Sequence, residues 1–71
     1  MKIDFYCEIK VNDDAKNKKY NGRTGVVLGI SEENGITYGY SVVLHGENHT
    51  VYFEKNDVTP TGKQFKREDF Y

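Results

Sequence analysis

The chain has 71 residues and a formal net charge of −1, with 30% charged residues, six tyrosines and four phenylalanines but no tryptophan. A domain this short has room for one core and buries only roughly 60% of the surface its unfolded chain exposes, so the aromatics must carry much of the burial. Near-neutrality excludes an overall field that would hold a phosphate backbone or an anionic membrane, and Cys7, the lone cysteine, excludes an internal disulfide or a cysteine-based zinc cage and fits a reducing compartment.

The opening MKIDFYCEIK carries charges at Lys2, Asp4, Glu8 and Lys10, so it holds no apolar run of signal-peptide length. The longest apolar stretches are three or four residues, far short of a membrane span. A cytoplasmic protein with no membrane partner is expected.

Residues 3–11 alternate, with Ile3, Phe5, Cys7, Ile9 and Val11 on one side and Asp4, Tyr6, Glu8 and Lys10 on the other, which predicts a half-buried first strand. Residues 12–22 (NDDAKNKKYNG) have no period and are rich in Asn, Asp, Lys and Gly, the composition of a long solvated loop. Over 23–31, Thr24, Val26, Leu28 and Ile30 share a face opposite Gly25, Val27 and Gly29. Asn34-Gly35 then supplies the positive φ angles that a tight hairpin turn needs between two apolar strands. In the third strand, 36–44, Ile36, Tyr38, Tyr40, Val42 and Leu44 share one face and Thr37, Gly39, Ser41 and Val43 the other. HGENH (45–49) makes a second turn, and 50–54 is a short strand with Val51 and Phe53 inward. Residues 55–57 form a single 3₁₀ turn before Val58 and Thr59 resume extended structure into Pro60 and Gly62. The tail 63–71 sets Phe65, Phe70 and Tyr71 among charges, and two readings stay open for it: a short helix, or an irregular segment docked by its aromatics.

Five short strands, a long first loop, two hairpins and a brief turn make residues 1–71 a single all-β domain. The inventory is that of a small SH3-like barrel of about five antiparallel strands with a short C-terminal tail. Rolling the sheet onto itself buries one face and limits exposed edges; an open meander covered by the tail uses the same strands.

No constellation carries catalysis. His45, Glu47 and His49 fall within one turn, but a third His or a Cys at ligand spacing is missing and the segment reads as a hairpin tip, so no metal site is assigned. Cys7 lies on the alternating apolar face, which argues for a buried thiol and against a nucleophile activated by His45 or His49. The acid pairs Asp13-Asp14, Glu32-Glu33 and Glu68-Asp69 lie in loops or the tail, and adjacent residues do not converge on one substrate atom.

Charge is segregated along the chain. Lys16, Lys18, Lys19 and Arg23 form a basic run without an acid between residues 15 and 25, whereas residues 26–57 set Glu32, Glu33, Glu47, Glu54 and Asp57 against Lys55 alone. The acidic stretch contains both hairpin tips, so one end of the molecule is expected to present carboxylates to a basic partner; the competing reading is that hairpin tips are simply polar. Alternation points Tyr6 and Tyr52 outward beside Glu8 and Glu54, either as a protein-binding patch or under the tail.

DFYCEIKV near the start, GRTGVVLGISEENGITYGYSVVL in the middle and VYFEKNDVTPTGKQFKREDFY at the end together resemble the Immunity protein 31 family of bacterial polymorphic toxin systems. The likeness spans nearly the whole chain and rests on the order of short motifs: GVVLGISEENG, the PTG at 60–62 and the closing REDFY. It implies a mostly β protein, encoded beside a toxin gene, that binds the toxin in the producing cell and prevents self-intoxication, with no catalysis and no cofactor. It carries over no site residues position by position.

The expected partner-binding residues therefore come from charge and exposure: Glu32, Glu33, Glu47, Glu54 and Asp57, with Tyr6 and Tyr52 as aromatic anchors. The expected partner is a cognate toxin domain, with a nuclease as the candidate activity, whose substrate charge the carboxylates mimic; the free chain is expected to be a monomer. The alternative is an RNA- or ribosome-associated module of the KOW type, because Gly22-x-x-Gly25 followed by apolar residues is similar to that family's loop-strand junction and the four basic residues would meet phosphates. A peptide-binding SH3-like domain is disfavoured by the lack of tryptophan.

Overall fold

A computed structural model describes residues 2–16 and 18–69 of the chain. The alternating segments become five strands, β1 (Cys7–Val11), β2 (Thr24–Glu33), β3 (Ile36–Leu44), β4 (Thr50–Glu54) and β5 (Val58–Gln64). They form one antiparallel sheet in the order β4-β3-β2-β1-β5. A 3₁₀ turn, Lys55–Asp57, carries the chain from β4 to the far side of β1, where β5 pairs. This is the small all-β, SH3-like arrangement expected, with its long first connection and short tail.

The β2–β3 turn forms where Asn34-Gly35 places it, with φ of 54° and 77° at the two residues. The core gathers Ile9, Val11, Val27, Tyr40, Val42, Leu44, Phe53 and Val58 from all five strands, with Ile3, Ile30 and Val51 packed against it.

Three expectations are corrected. Strict alternation in β2 set Val27 on the face opposite Ile30, yet Val27 is fully buried in the core cluster and Ile30 packs on the same cluster. Val27 opposes Val42 and Ile30 opposes Tyr40, with the register shifting between Val27 and Gly29, so Leu28 is one extra residue. A bulge of one residue reverses the parity of everything beyond it.

The first strand begins at Cys7, not at residue 3. Tyr6 has φ 65°, a left-handed conformation that ends the extended run, and Cys7 N–H bonds back to the Asp4 carbonyl at 3.2 Å to close a turn. The alternation is thereby inverted: Phe5, expected inside, is exposed, and Tyr6, expected outside, is half-buried. Cys7 is half-buried rather than part of the core, its thiol donating to Gln64 Oε1 at 3.1 Å.

The connection 12–22 is more than a solvated loop. Ala15 and Tyr20 are buried members of the core, and the Tyr20 ring meets Phe53 edge-on at 5.9 Å. Asn12 fastens the connection to the other side of the barrel, with its Nδ2 donating to the Asn56 carbonyl at 3.0 Å and its Oδ1 accepting from Thr59 Oγ1 at 2.6 Å. Asn12 N–H also reaches the Asp57 carbonyl at 2.8 Å.

The tail takes the irregular course, with one 3₁₀ turn at Arg67–Asp69 closed by Lys66 N–H on Asp69 Oδ2 at 2.9 Å. Phe65 docks against the His45 ring at 5.8 Å, under Lys63 Nζ. Phe70 and Tyr71 lie outside the described residues.

Candidate binding surface

The β2–β3 hairpin outruns the core. Ile36 is 51% exposed and Tyr38 is 49% exposed, although alternation places both on one face with the buried Tyr40, Val42 and Leu44. Their strands continue past the last buried pair, and a second register shift, between Ser31 and Glu32, leaves Tyr38 without a partner across the hairpin. Tyr52, on β4, is 52% exposed, as expected. It is seated on β3: a side chain at Gly39 would collide with the Tyr52 hydroxyl and the Phe53 carbonyl, so only glycine admits the ring there. Phe5, at 49% exposure, is a fourth large hydrophobic left open to solvent among the described residues.

The acidic residues do not gather at one end. The β2–β3 turn and the 45–49 turn lie at opposite ends of β3, whose nine residues, at about 3.3 Å each, reach across much of a molecule 31 Å in its longest dimension. Glu32 and Glu33 are exposed at the first tip and take part in no ion pair among the described residues. Glu47, at the second, lies 3.7 Å from Arg23 and 3.9 Å from His49. Glu54 pairs with Lys16 at 2.8 Å, which raises the Lys16 pKa, and Asp57 Oδ2 accepts from the Lys16 backbone N–H at 3.5 Å.

Segregation of charge along the chain therefore becomes pairing in space. The connection 12–22 folds back so that Lys16 meets the end of β4, while Arg23 reaches the second turn and also donates to the His45 carbonyl at 3.0 Å. Lys18 and Lys19 remain exposed, with Lys19 over the Tyr20 ring. Of the five expected acids, only Glu32 and Glu33 stand free beside exposed apolar side chains.

At the far end of β3 a polar network joins three elements that the sequence keeps apart. His45 Nε2 lies 2.8 Å from Glu8 Oε2, and Thr61 Oγ1 donates to Glu8 Oε1 at 2.8 Å. These two bonds, with His45 the larger influence and the charges of His45 and Lys63 adding to them, hold the Glu8 carboxyl below its ordinary pKa despite some desolvation. Burial alone pushes the Tyr40 hydroxyl upward. No pattern in the sequence pointed to this cluster, since its members are 37 and 53 residues apart.

Residues 2–5 and the hairpin line an open groove of about 260 Å³, with Ile3, Phe5, Ile30 and Thr37 in its lining together with the charged Lys2, Asp4 and Glu32. Comparison of the chain with family models, with curated proteins and with solved structures gives no match. Among the described residues no helix is long and apolar enough to cross a membrane.

Proposed function

We propose that this protein is a non-catalytic binding module that neutralises a cognate toxin domain in the cytoplasm of the cell producing it. The observation that carries the binding reading is that the β2–β3 hairpin holds Ile36 and Tyr38, each about half open to solvent, next to the exposed Glu32 and Glu33. Tyrosine gives large contact area at low entropic cost and is enriched among the residues that dominate interfaces. Tyr52 on Gly39 and Tyr38 at the hairpin bulge are the anchors; Glu32 and Glu33 steer the approach of a basic partner. The toxin as partner rests on the sequence resemblance to the Immunity protein 31 family.

The test is growth of a susceptible bacterium expressing the C-terminal domain of the neighbouring upstream open reading frame, with and without this protein. Rescue together with co-purification of the pair is expected. Toxicity without rescue would refute the assignment and turn attention to RNA. That alternative predicts binding that weakens steeply with salt, though pairing of Lys16 and Arg23 with carboxylates leaves only part of the basic run for phosphates.

A further inference from the structure

We propose that the groove between residues 2–5 and the β2–β3 hairpin receives an arginine side chain from the partner protein; this rests on the reading of the molecule as a protein binder and names the chemistry of what is bound. The starting point is Phe5, which the sequence pattern would bury. Tyr6 turns it outward by adopting φ 65°, a conformation uncommon for a residue with a side chain.

The surrounding structure holds that turn from several sides. Tyr6 N–H donates to the Val27 carbonyl and its own carbonyl accepts from Phe65 N–H, both at 2.8 Å, while Gln64 Nε2 donates to the Phe5 carbonyl at 3.1 Å. The fold thus leaves Phe5 half exposed, as part of the groove lining, instead of in the core.

Charge selects the occupant. Asp4 Oδ1 is taken by the Phe5 N–H at 2.8 Å, so Glu32 is the rim carboxylate with no hydrogen bond or ion pair among the described residues, and Glu33 beside it is likewise free. Among the described residues Lys2 is the one cation lining the groove, set against the carboxylates of Asp4 and Glu32. An apolar wall, an aromatic face and a free carboxylate together match a side chain with an aliphatic stem and a planar cationic head. A guanidinium stacks on the ring and offers the carboxylate a fork of N–H donors, an ammonium meets each only as a point charge, and a purely apolar side chain leaves Glu32 unanswered.

A titration of the isolated ¹⁵N-labelled protein with N-acetyl-arginine amide, followed by NMR, tests this without the toxin. Saturable shifts are expected at Phe5, Ile30 and Thr37, with a dissociation constant of the order of 10 mM for so small a probe. Glu32→Gln should weaken binding about two- to fivefold, the size of an exposed ion pair. This exposed substitution keeps the test valid if Phe5→Ala perturbs folding. N-acetyl-lysine amide and N-acetyl-leucine amide should bind more weakly than the arginine probe. Absence of saturable shifts, shifts confined to Glu32 and Glu33 that vanish in salt, or equal binding of the leucine probe would each overturn the proposal. Because the titration needs no toxin, its failure is separable from a failure of growth rescue, which would instead overturn the toxin as partner.

Discussion

Glu8→Gln is the substitution whose consequence the structure specifies most closely. The carboxylate joins three elements, accepting from Thr61 on β5 and meeting His45 in the turn after β3, each at 2.8 Å. A charge-assisted hydrogen bond is worth about 1.5–3 kcal/mol where it is protected from water. The Glu8 side chain is 15% exposed but His45 is 45% exposed, so screening lowers the combined contribution to roughly 1–2 kcal/mol. For a domain of this size about 1 kcal/mol moves the unfolding midpoint by roughly 4–8 °C.

The pH dependence has a definite sign. The folded-state pKa of Glu8 lies below its ordinary value of 4.5, so the unfolded chain takes up the proton first as pH falls. The contribution is complete above the unfolded value and is lost as pH falls through the folded one. Wild type and Glu8→Gln should therefore differ by roughly 1–2 kcal/mol in urea unfolding at pH 7 and converge in acid, where protonated Glu8 resembles glutamine. A double-mutant cycle with His45→Ala should return a favourable coupling that disappears over the same acid range. A stability difference unchanged from pH 7 to below the folded pKa, or a coupling near zero at pH 7, would refute the assignment of the low Glu8 pKa to this clasp.

Four further outcomes follow from packing and charge. Tyr20→Ala should cost about 3–5 kcal/mol in chemical denaturation, as for a large aromatic in a core, whereas a merely solvated loop would tolerate it. Gly39→Ala should cost about 1–3 kcal/mol, because the new methyl meets the Tyr52 ring and the Phe53 carbonyl; the Tyr52 ring resonances should shift in the same variant. Paired reversal of Glu32 and Glu33 to lysine should slow association with a basic toxin surface and flatten its salt dependence in surface plasmon resonance, while leaving the unfolding midpoint nearly unchanged. Glu47→Lys, by contrast, should lower the midpoint, since it sets a second cation against Arg23.

Much of the fold was legible because its signals are local. Asn34-Gly35 names its own turn, the short strand at 50–54 and the 3₁₀ turn at 55–57 fall where the pattern breaks, and Tyr40, Val42 and Leu44 bury the face that alternation assigned. What failed was parity. One extra residue at Leu28 and one left-handed residue at Tyr6 each exchange inside for outside over the neighbouring positions, and neither position carries a glycine or proline to announce it. Tyr20 was hidden for a different reason, because an aperiodic segment gives no face from which to infer that a single aromatic reaches the core. The site was least legible of all: two acids of the expected set stand free, but the pairing of the others depends on residues brought together only by folding.

That pairing changes how the charges contribute. Read along the chain, 15–25 and 26–57 are two opposed fields, and either one suggests a partner. In space Lys16 lies on Glu54 and Arg23 lies near Glu47, so the long first connection and the acidic segment largely cancel each other at short range. These exposed pairs add little stability, but they take Lys16 and Arg23 out of the basic run and withdraw Glu47 and Glu54 from an acidic surface. Of the five acids expected to bind, Glu32 and Glu33 are then the ones left without an ion pair among the described residues, on the hairpin that also carries Ile36 and Tyr38 out of the core. In such an interface the two acids govern the rate of encounter and the apolar side chains govern residence, because long-range charge accelerates approach whereas desolvated aromatic contacts slow departure. Charge reversal at Glu32 and Glu33 should accordingly appear in the association rate, and Tyr52→Ala or Tyr38→Ala in the dissociation rate. A partner whose two rates respond to both kinds of substitution alike would be docking somewhere other than this hairpin.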